Sequence, residues 1–446
     1  MKLEDLLISI LCVISFFIAL YFLISYEEVG WDSAQYLKIA EYWLTKNPAF
    51  KEFKWPEKEF KILALSPLLS FFEYLIFLVF GVNLTVVKIL YAIFLPLLIF
   101  SIYKLLSLLK NKRIGLFSSL LVLFNSVILF WSTRLYTDVP AIAFLIIGLY
   151  LVVKNRKNDF KSYLIAGFVL GLSFLMRIPL ILHGLLIVGL YLFLNKKLSF
   201  NILGLSTAFI LFIPWLVYLQ TENIGLLEAF GGYSTSFISE EKSPIKNFNT
   251  FLQNTSIFWL ILLLIGILSI RQIKDLSFVG FFVSITIYLI TPFGDIRYAI
   301  PAFVFGSTII GSISSKRIII IIVFFLLLFL TIIENISIFW FKERESIYCS
   351  KNSALIEIGK YLKENKENDT IVFSQNYWPE IEFYSKKDTY AMLKEEPWLD
   401  YLFKFNRTRF IVLENNNTKI KYIENFSFIK VFEDNCKKLY LYGVNQ

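Results

Sequence analysis

The chain is 446 residues long and 57% hydrophobic, with 47 Phe, 24 Tyr and 9 Trp, 18% charged residues and a single histidine. A mean hydropathy of +0.64 excludes a soluble globular protein and places the chain among polytopic membrane proteins. The net charge of +9 is no nucleic-acid footprint: residues 341–446 hold 17 Lys and Arg against 16 Asp and Glu, so nearly all the excess lies in short loops of the preceding part, where basic residues set topology.

Residues 1–26 are apolar for about twenty positions and lack a small-residue cleavage site, which predicts a retained spanning helix rather than a signal peptide. An external loop, 27–61, follows. In it Tyr36, Leu37, Ile39, Ala40, Trp43 and Leu44 recur at helical spacing, with Gln35, Lys38, Glu41 and Thr45 on the other side. The pattern predicts a short amphipathic helix lying along the membrane surface. Asp32 falls at its N-cap, where a carboxylate accepts from the free N–H groups of the first turn; as a cap alone it needs no further role.

Further apolar segments lie at 62–80, 84–109, 114–131, 139–153, 163–176, 178–194, 200–219, 255–270, 276–290, 297–314 and 318–339. The basic clusters Lys110/Lys112/Arg113, Lys154/Arg156/Lys157/Lys161, Lys196/Lys197, Arg271/Lys274 and Lys316/Arg317 should all face the cytoplasm. A chain that leaves the cytoplasm after Tyr26 must be back inside at Lys110, so one of the two intervening segments does not cross. That role falls to 62–80, which contains Ser66-Pro67 and the charged Glu73. About eleven crossings remain, and residues 134–138, Arg177, 221–254, 292–295 and the C-terminal domain then face outside.

Beyond the Asp32 loop, three of the outer segments carry charged residues beside apolar helices. In Trp131-Ser132-Thr133-Arg134-Leu135-Tyr136-Thr137-Asp138, Arg134 and Asp138 stand four apart, a spacing that permits a simple ion pair beside an interfacial aromatic belt. Asp138 begins an apolar helix, where a charge near the membrane faces protein or a cavity because lipid does not solvate it. Arg177 interrupts an apolar run in Met176-Arg177-Ile178-Pro179, and Arg297 lies in Asp295-Ile296-Arg297-Tyr298-Ala299-Ile300-Pro301. A lipid phosphate needs permanent positive charge and fork-shaped donors, which arginine supplies; the bland alternative is a snorkelling interfacial side chain. His183 sits in an apolar run and reads as a packed helix residue. The three cysteines show no metal spacing, and Cys349 and Cys436 can pair only if both lie outside the cytoplasm.

The composition changes at 341–446, where long apolar runs stop. Residues 353–365, 379–385 and 395–405 have helical patterns, and 370–374, 409–413, 428–432 and 439–442 read as strands, together a small α/β domain. Asn368, Asn406, Asn416 and Asn425 each begin an Asn-X-Ser/Thr acceptor. The expected organisation is a transmembrane domain over 1–340 and an extracytoplasmic α/β domain over 341–446.

A first membrane helix followed by an external Asp-x-x-x-Tyr-hydrophobic helix, here Asp32 to Leu37, resembles the start of the GT-C class of membrane glycosyltransferases. Within it the chain is most similar to the protein O-mannosyltransferase and aminoarabinose transferase families. The Asp138 loop resembles their second acidic motif, Ser66-Pro67-Leu68-Leu69 a reduced form of their Pro-Leu segment, and Arg297-Tyr298-x-x-Pro301 an element before a late helix. The resemblance implies a sugar moved from a polyprenyl- or dolichyl-phosphate donor to a glycan, protein or lipid acceptor at the outer face. It further implies Asp32 as catalytic base, Asp138 beside it at one cavity, and Arg134, Arg177, Arg297 and Tyr298 on the substrate. Relatives often carry a second acid directly after the first. Ser33 stands there instead and lends no support to a divalent metal. A transporter or flippase for a lipid-linked glycan is the alternative from another class; it predicts an internal inverted repeat, which the sequence does not show.

Overall fold

The computed structural model describes residues 3–46, 53–54, 59–60, 66–155, 159–197, 199–222, 244–269, 275–291, 295–315, 318–351, 353–364, 371–374, 377–391, 408–414 and 426–444. Helices dominate. After α1 (Leu3–Ser25) and α2 (Trp31–Thr45) come two short paired strands, β1 (Phe53–Lys54) and β2 (Glu59–Phe60), and then α3 (Pro67–Phe80). Pro67 opens α3, where its missing N–H has no helical partner to lose, and Gly81 at φ +68° closes it. The chain continues through α4 (Leu84–Ala92), α5 (Phe94–Leu109), α6 (Lys112–Leu123), α7 (Ser126–Ser132), α8 (Asp138–Lys154), α9 (Phe160–Met176) and α10 (Leu180–Leu194). A 3-10 turn (Phe200–Ser206) leads into α11 (Thr207–Ile210) and α12 (Ile213–Thr221). Next come α13 (Pro244–Gln253), α14 (Ile257–Ser269), α15 (Leu276–Ile290), a 3-10 turn (Ile296–Ala299), α16 (Ile300–Gly311) and the 33-residue α17 (Ile318–Ser350).

Among the described residues four helices are long and apolar enough to cross a membrane: Leu3–Ser25, Leu84–Leu109, Asn201–Thr221 and Phe324–Glu364. Two pairs qualify only together, Lys112–Leu123 with Ser126–Ser132 and Pro244–Gln253 with Ile257–Leu268, and they bend by 67° and 111°. The first bend falls within the apolar segment 114–131. Its cause is Asn125, whose side chain accepts from the Ile128 N–H and so starts a new helix instead of continuing the old one. Five apolar helices are shorter, α3 among them. At ~1.5 Å per residue its 14 residues rise about 21 Å, short of the roughly 30 Å hydrocarbon core.

The chain packs as two compact units. The first comprises Met1–Leu23, Lys88–Tyr218 and Tyr233–Glu343. Its centre is α16, every residue of which is buried; Phe303 stacks on Phe251 at 4.9 Å and meets the edge of Trp259 at 5.5 Å. Elsewhere in this unit, the sequence Gly167-x-x-x-Gly171 lets α9 approach main chain directly. A Cβ on Gly167 would lie 2.8 Å from Leu205 Cα and 2.9 Å from the Gly204 carbonyl oxygen. Small residues four apart are how helices close on one another where no hydrophobic effect drives them.

The second unit comprises Ile24–Val87, Leu219–Gly232 and Arg344–Gln446. It contains α18 (Ala354–Glu364), β3 (Ile371–Ser374), α19 (Trp378–Ser385), β4 (Asp388–Ala391), β5 (Thr408–Leu413), β6 (Phe426–Glu433) and β7 (Lys438–Val444). One five-stranded sheet has the order β4-β3-β5-β7-β6, parallel across β4-β3-β5 and antiparallel beyond. Leu355, Ile358 and Leu362 of α18 pack with Val372, Phe410, Val412, Phe432, Leu439 and Leu441 of the sheet. Cys349 and Cys436 form a disulfide. The expected strands and the helices at 353–365 and 379–385 are present; β4 was not foreseen. The helix expected over 395–405 and the four Asn-X-Ser/Thr acceptor asparagines lie outside the described residues.

Helix α2 corrects two expectations. It begins at Trp31 with Gly30 at the cap, so Asp32 stands inside the first turn rather than capping it. It is also not a one-sided surface helix: Ser33 through Tyr42 are all buried, with Gln35 at 1%, Lys38 at 0% and Glu41 at 7% exposure. Its apolar side packs on α3, where Trp43 meets Tyr74, and its polar side packs on α19.

The glycine contacts yield a paired expectation. Gly167→Val forces α9 off the main chain it touches and should cost about 1–3 kcal/mol, seen as a lower melting temperature in detergent. Gly189→Ala, whose Cβ meets nothing within 4 Å, should be neutral or stabilising by up to about 1 kcal/mol.

Candidate active site

Five of the six residues singled out in the sequence belong to the first unit, and four of them, Asp138, Arg177, Arg297 and Tyr298, form one connected cluster. Asp138 opens α8, and Arg177 ends α9, two helices that pack along their length. Arg177 Nη1 lies 2.7 Å from Asp138 Oδ2, with side-chain exposures of 11% and 2%, and it donates to Thr137 Oγ1 at 3.4 Å. The Arg177 guanidinium also lies over the Tyr298 ring, 4.7 Å from its centroid. Arg297 stands over the same ring at 5.4 Å and over Trp131 and Tyr136 at 5.6 and 5.5 Å. Those two rings meet edge to face at 5.0 Å.

The turn that presents Arg297 and Tyr298 is local chemistry. Asp295 caps it by accepting from the Arg297 N–H at 3.0 Å, and its other carboxylate oxygen pairs with Arg297 Nε at 3.0 Å. Arg134 does not pair with Asp138, as the four-residue spacing allowed. It donates instead to Glu343 of α17 at 2.8 Å and to the Phe130 carbonyl at 2.6 Å, with its guanidinium 3.3 Å from the Phe130 ring centroid. Thr133 donates to the same Glu343 oxygen at 2.8 Å. The reason is that residues 133–137 are a turn between α7 and α8, so the helical i,i+4 geometry is absent. Glu343 was missed in the sequence; its signal is the charged run Lys342-Glu343-Arg344-Glu345 at the end of an apolar helix. Asp295, Trp131 and Tyr136 lay in the motifs but were not given roles.

Each arginine thus has a carboxylate, but the pairs differ in depth. Asp138 and Glu343 are buried, whereas Asp295 is 37% exposed. Asp295 is the most solvated of the three carboxylates, so its hold on a guanidinium is the most screened and Arg297 is the one that an incoming anion recruits at least cost. The cluster can therefore bind an oxyanion against aromatic faces.

Asp32 lies in the second unit, in the first turn of α2, where the helix dipole favours a carboxylate. Around this helix Lys38 pairs with Glu382, Glu41 with Lys386 and Glu28 with Lys437. Burial pushes the nearby Glu380 carboxyl up to about 8, so near neutrality it is mostly protonated and adds little charge to those pairs. Among the described residues no three His, Cys, Asp or Glu side chains are grouped to hold a metal ion.

Residues 65–218 match the family described as dolichyl-phosphate-mannose-protein mannosyltransferase. No curated protein matches by sequence. Among solved structures the chain is similar to ArnT from Cupriavidus metallidurans bound to undecaprenyl phosphate, with a TM-score of 0.66 at 10% identity over 98% of this chain and 97% of that one. It is also similar to the archaeal oligosaccharyltransferase AglB from Archaeoglobus fulgidus in complex with an inhibitory peptide and a dolichol-phosphate (0.59, 13%, 90% and 69%). A third likeness is to the arabinofuranosyltransferase AftD from Mycobacteria (0.60, 8%, 98% and 40%). The chain therefore has the GT-C fold: a multi-pass helical membrane part with a small C-terminal sheet domain, as the Asp32 and Asp138 motifs had suggested.

The Asp138–Arg177 pair is open to a direct check. Arg177→Met leaves a buried carboxylate without its counter-charge and should destabilise by about 3–5 kcal/mol, while Arg177→Met with Asp138→Asn should recover more than half of that loss in thermal unfolding.

Proposed function

We propose that the protein is a glycosyltransferase that moves a sugar from a polyprenyl- or dolichyl-phosphate donor to an acceptor hydroxyl on the outer face of the membrane. The observation that carries this reading is the convergence of Arg177, itself paired with Asp138, and Arg297 on the Tyr298 ring, two guanidinium groups against an aromatic face suited to a phosphate, within a GT-C fold. The ligands of two similar structures, undecaprenyl phosphate and dolichol-phosphate, are of the same chemical kind.

In the proposed step Asp32 takes the proton from the acceptor hydroxyl while its oxygen attacks the anomeric carbon. The bond between that carbon and the phosphate oxygen breaks, and the lipid phosphate leaves with the electron pair. A single displacement inverts the anomeric centre. A phosphate needs its growing charge stabilised more than it needs a proton, which is the task assigned to Arg297, with Arg177 behind it and Arg134 at the neighbouring turn. Asp138 holds Arg177 in place. The Cys349–Cys436 disulfide supports a C-terminal domain facing an oxidising compartment, and the acceptor is a glycan, a protein or a lipid.

Purified protein incubated with a panel of polyprenyl-phosphate sugars should release sugar or transfer it. Asp32→Asn should lower turnover by about two to four orders of magnitude with little change in melting temperature, because Asn keeps the size and hydrogen-bonding reach of the side chain. Movement of lipid-linked glycan across vesicles without sugar release would point to a flippase instead. Arg297→Ala should cost roughly one to two decades in kcat/KM for the donor, the loss of one charge-assisted bond. On the question of sidedness, Lys360→Cys in α18, in a Cys12→Ser background, should label with an impermeant thiol reagent from the outside of intact cells; labelling only after lysis would invert the proposed topology.

A further inference from the structure

We infer that the C-terminal α/β domain positions the Asp32 helix for the reaction, through the buried Lys38–Glu382 pair and the ionic contacts on either side of it. The inference rests on the proton-accepting role proposed for Asp32.

A 15-residue helix such as α2 is marginal in isolation and takes its place from what packs on it. Here the packing partner on its polar side is α19. Lys38 Nζ pairs with Glu382, both side chains wholly out of water, and one turn further on Glu41 pairs with Lys386. Along α2 the charges read positive then negative; along α19 they read negative then positive. Sliding either helix by one turn would set Lys38 against Lys386, or Glu41 against Glu382, with like charges buried together. The register is thus fixed by repulsion in the wrong alignments as much as by attraction in the right one.

The other end of the segment is held to the same domain. The Val29 N–H donates to the Tyr384 hydroxyl at 2.9 Å, Lys437 donates to Glu28 at 2.5 Å, and Ser353, at the start of α18, donates to the other Glu28 oxygen at 2.5 Å. Asp32 lies between these two sets of anchors, three residues after Val29 and six before Lys38. Asp434 accepts from the N–H groups of Cys436 and Lys437, so the β6–β7 turn that presents Lys437 is itself braced. A surface pair with exposed partners would not do this, because solvent screens it. A buried pair penalises every geometry but its own.

The test uses the full-length protein and four forms: wild type, Lys38→Met, Glu382→Gln, and the double replacement Lys38→Met/Glu382→Met, which keeps side-chain length while removing both charges. Amide hydrogen exchange is read in α2 and in strands β5 and β7, and kcat and KM are read with the best polyprenyl-phosphate sugar donor. Each single variant should raise exchange in α2 at least tenfold while the strands stay protected, and should lower kcat at least tenfold with the donor KM within twofold. The double variant should recover most of both. Unchanged exchange in α2 for both single variants, or an equal rise in α2 and the strands, overturns the inference. Loosened α2 with unchanged kcat overturns it as well, since position would then not matter to the chemistry. If the wild type releases no sugar from any donor, the glycosyl-transfer reading fails first, and α2 exchange then reports on the clamp alone.

Discussion

A charge taken out of water must take its counter-charge with it, and the packing inside each unit follows from that constraint. Asp138 and Arg177, Glu343 and Arg134, and Lys38 and Glu382 are each drawn from different elements, so every pair ties two parts of the chain together. The apolar helices around them can slide and still bury carbon against carbon, because dispersion and apolar burial have little direction. A guanidinium over a ring, or an ammonium against one carboxylate, cannot. In a chain that is 57% hydrophobic, the few charges therefore carry most of the geometric specificity.

That division of labour accounts for what could be read in advance. Long apolar runs mark helices, so α1, α5, α8 and α9 lie where hydropathy puts them, and β3, β5, β6 and β7 of the C-terminal sheet follow from short strand-like segments. The polar residues of α2 misled because a stripe of Gln35, Lys38 and Glu41 looks identical whether it faces water or a second charged helix. The difference lies in α19, more than 300 positions away. Asp32 was displaced from the cap by two residues because Gly30, with no side-chain oxygen, left no capping signature. Strand β4 escaped notice since Asp388-Thr389-Tyr390-Ala391 has no apolar alternation and is held by parallel pairing to β3.

The arginines show the same limit from the other side. Their places between apolar segments were legible from charge and hydropathy, whereas a common site with Asp138 was implied only by the family resemblance. Their individual partners were not. Arg134 and Asp138 stand four apart in sequence yet pair with residues 209 and 39 positions away, because the turn between α7 and α8 points them in different directions. Motif spacing locates a site of this kind; the loop geometry decides which carboxylate neutralises which guanidinium.

Tyr298 has a consequence of its own. One phenol ring receives both Arg177 and Arg297, at 4.7 and 5.4 Å, and so joins the buried ion pair to the more exposed one. Each such contact contributes on the order of 0.5–2 kcal/mol, depending on how dry it is. Any change that tilts the ring to suit one guanidinium alters the field felt by the other, and the energetic effects of the two arginines are then non-additive. The pair behaves as one thermodynamic unit with a shared hinge, and the unit rather than either side chain is what an anion bound at the cluster would sense.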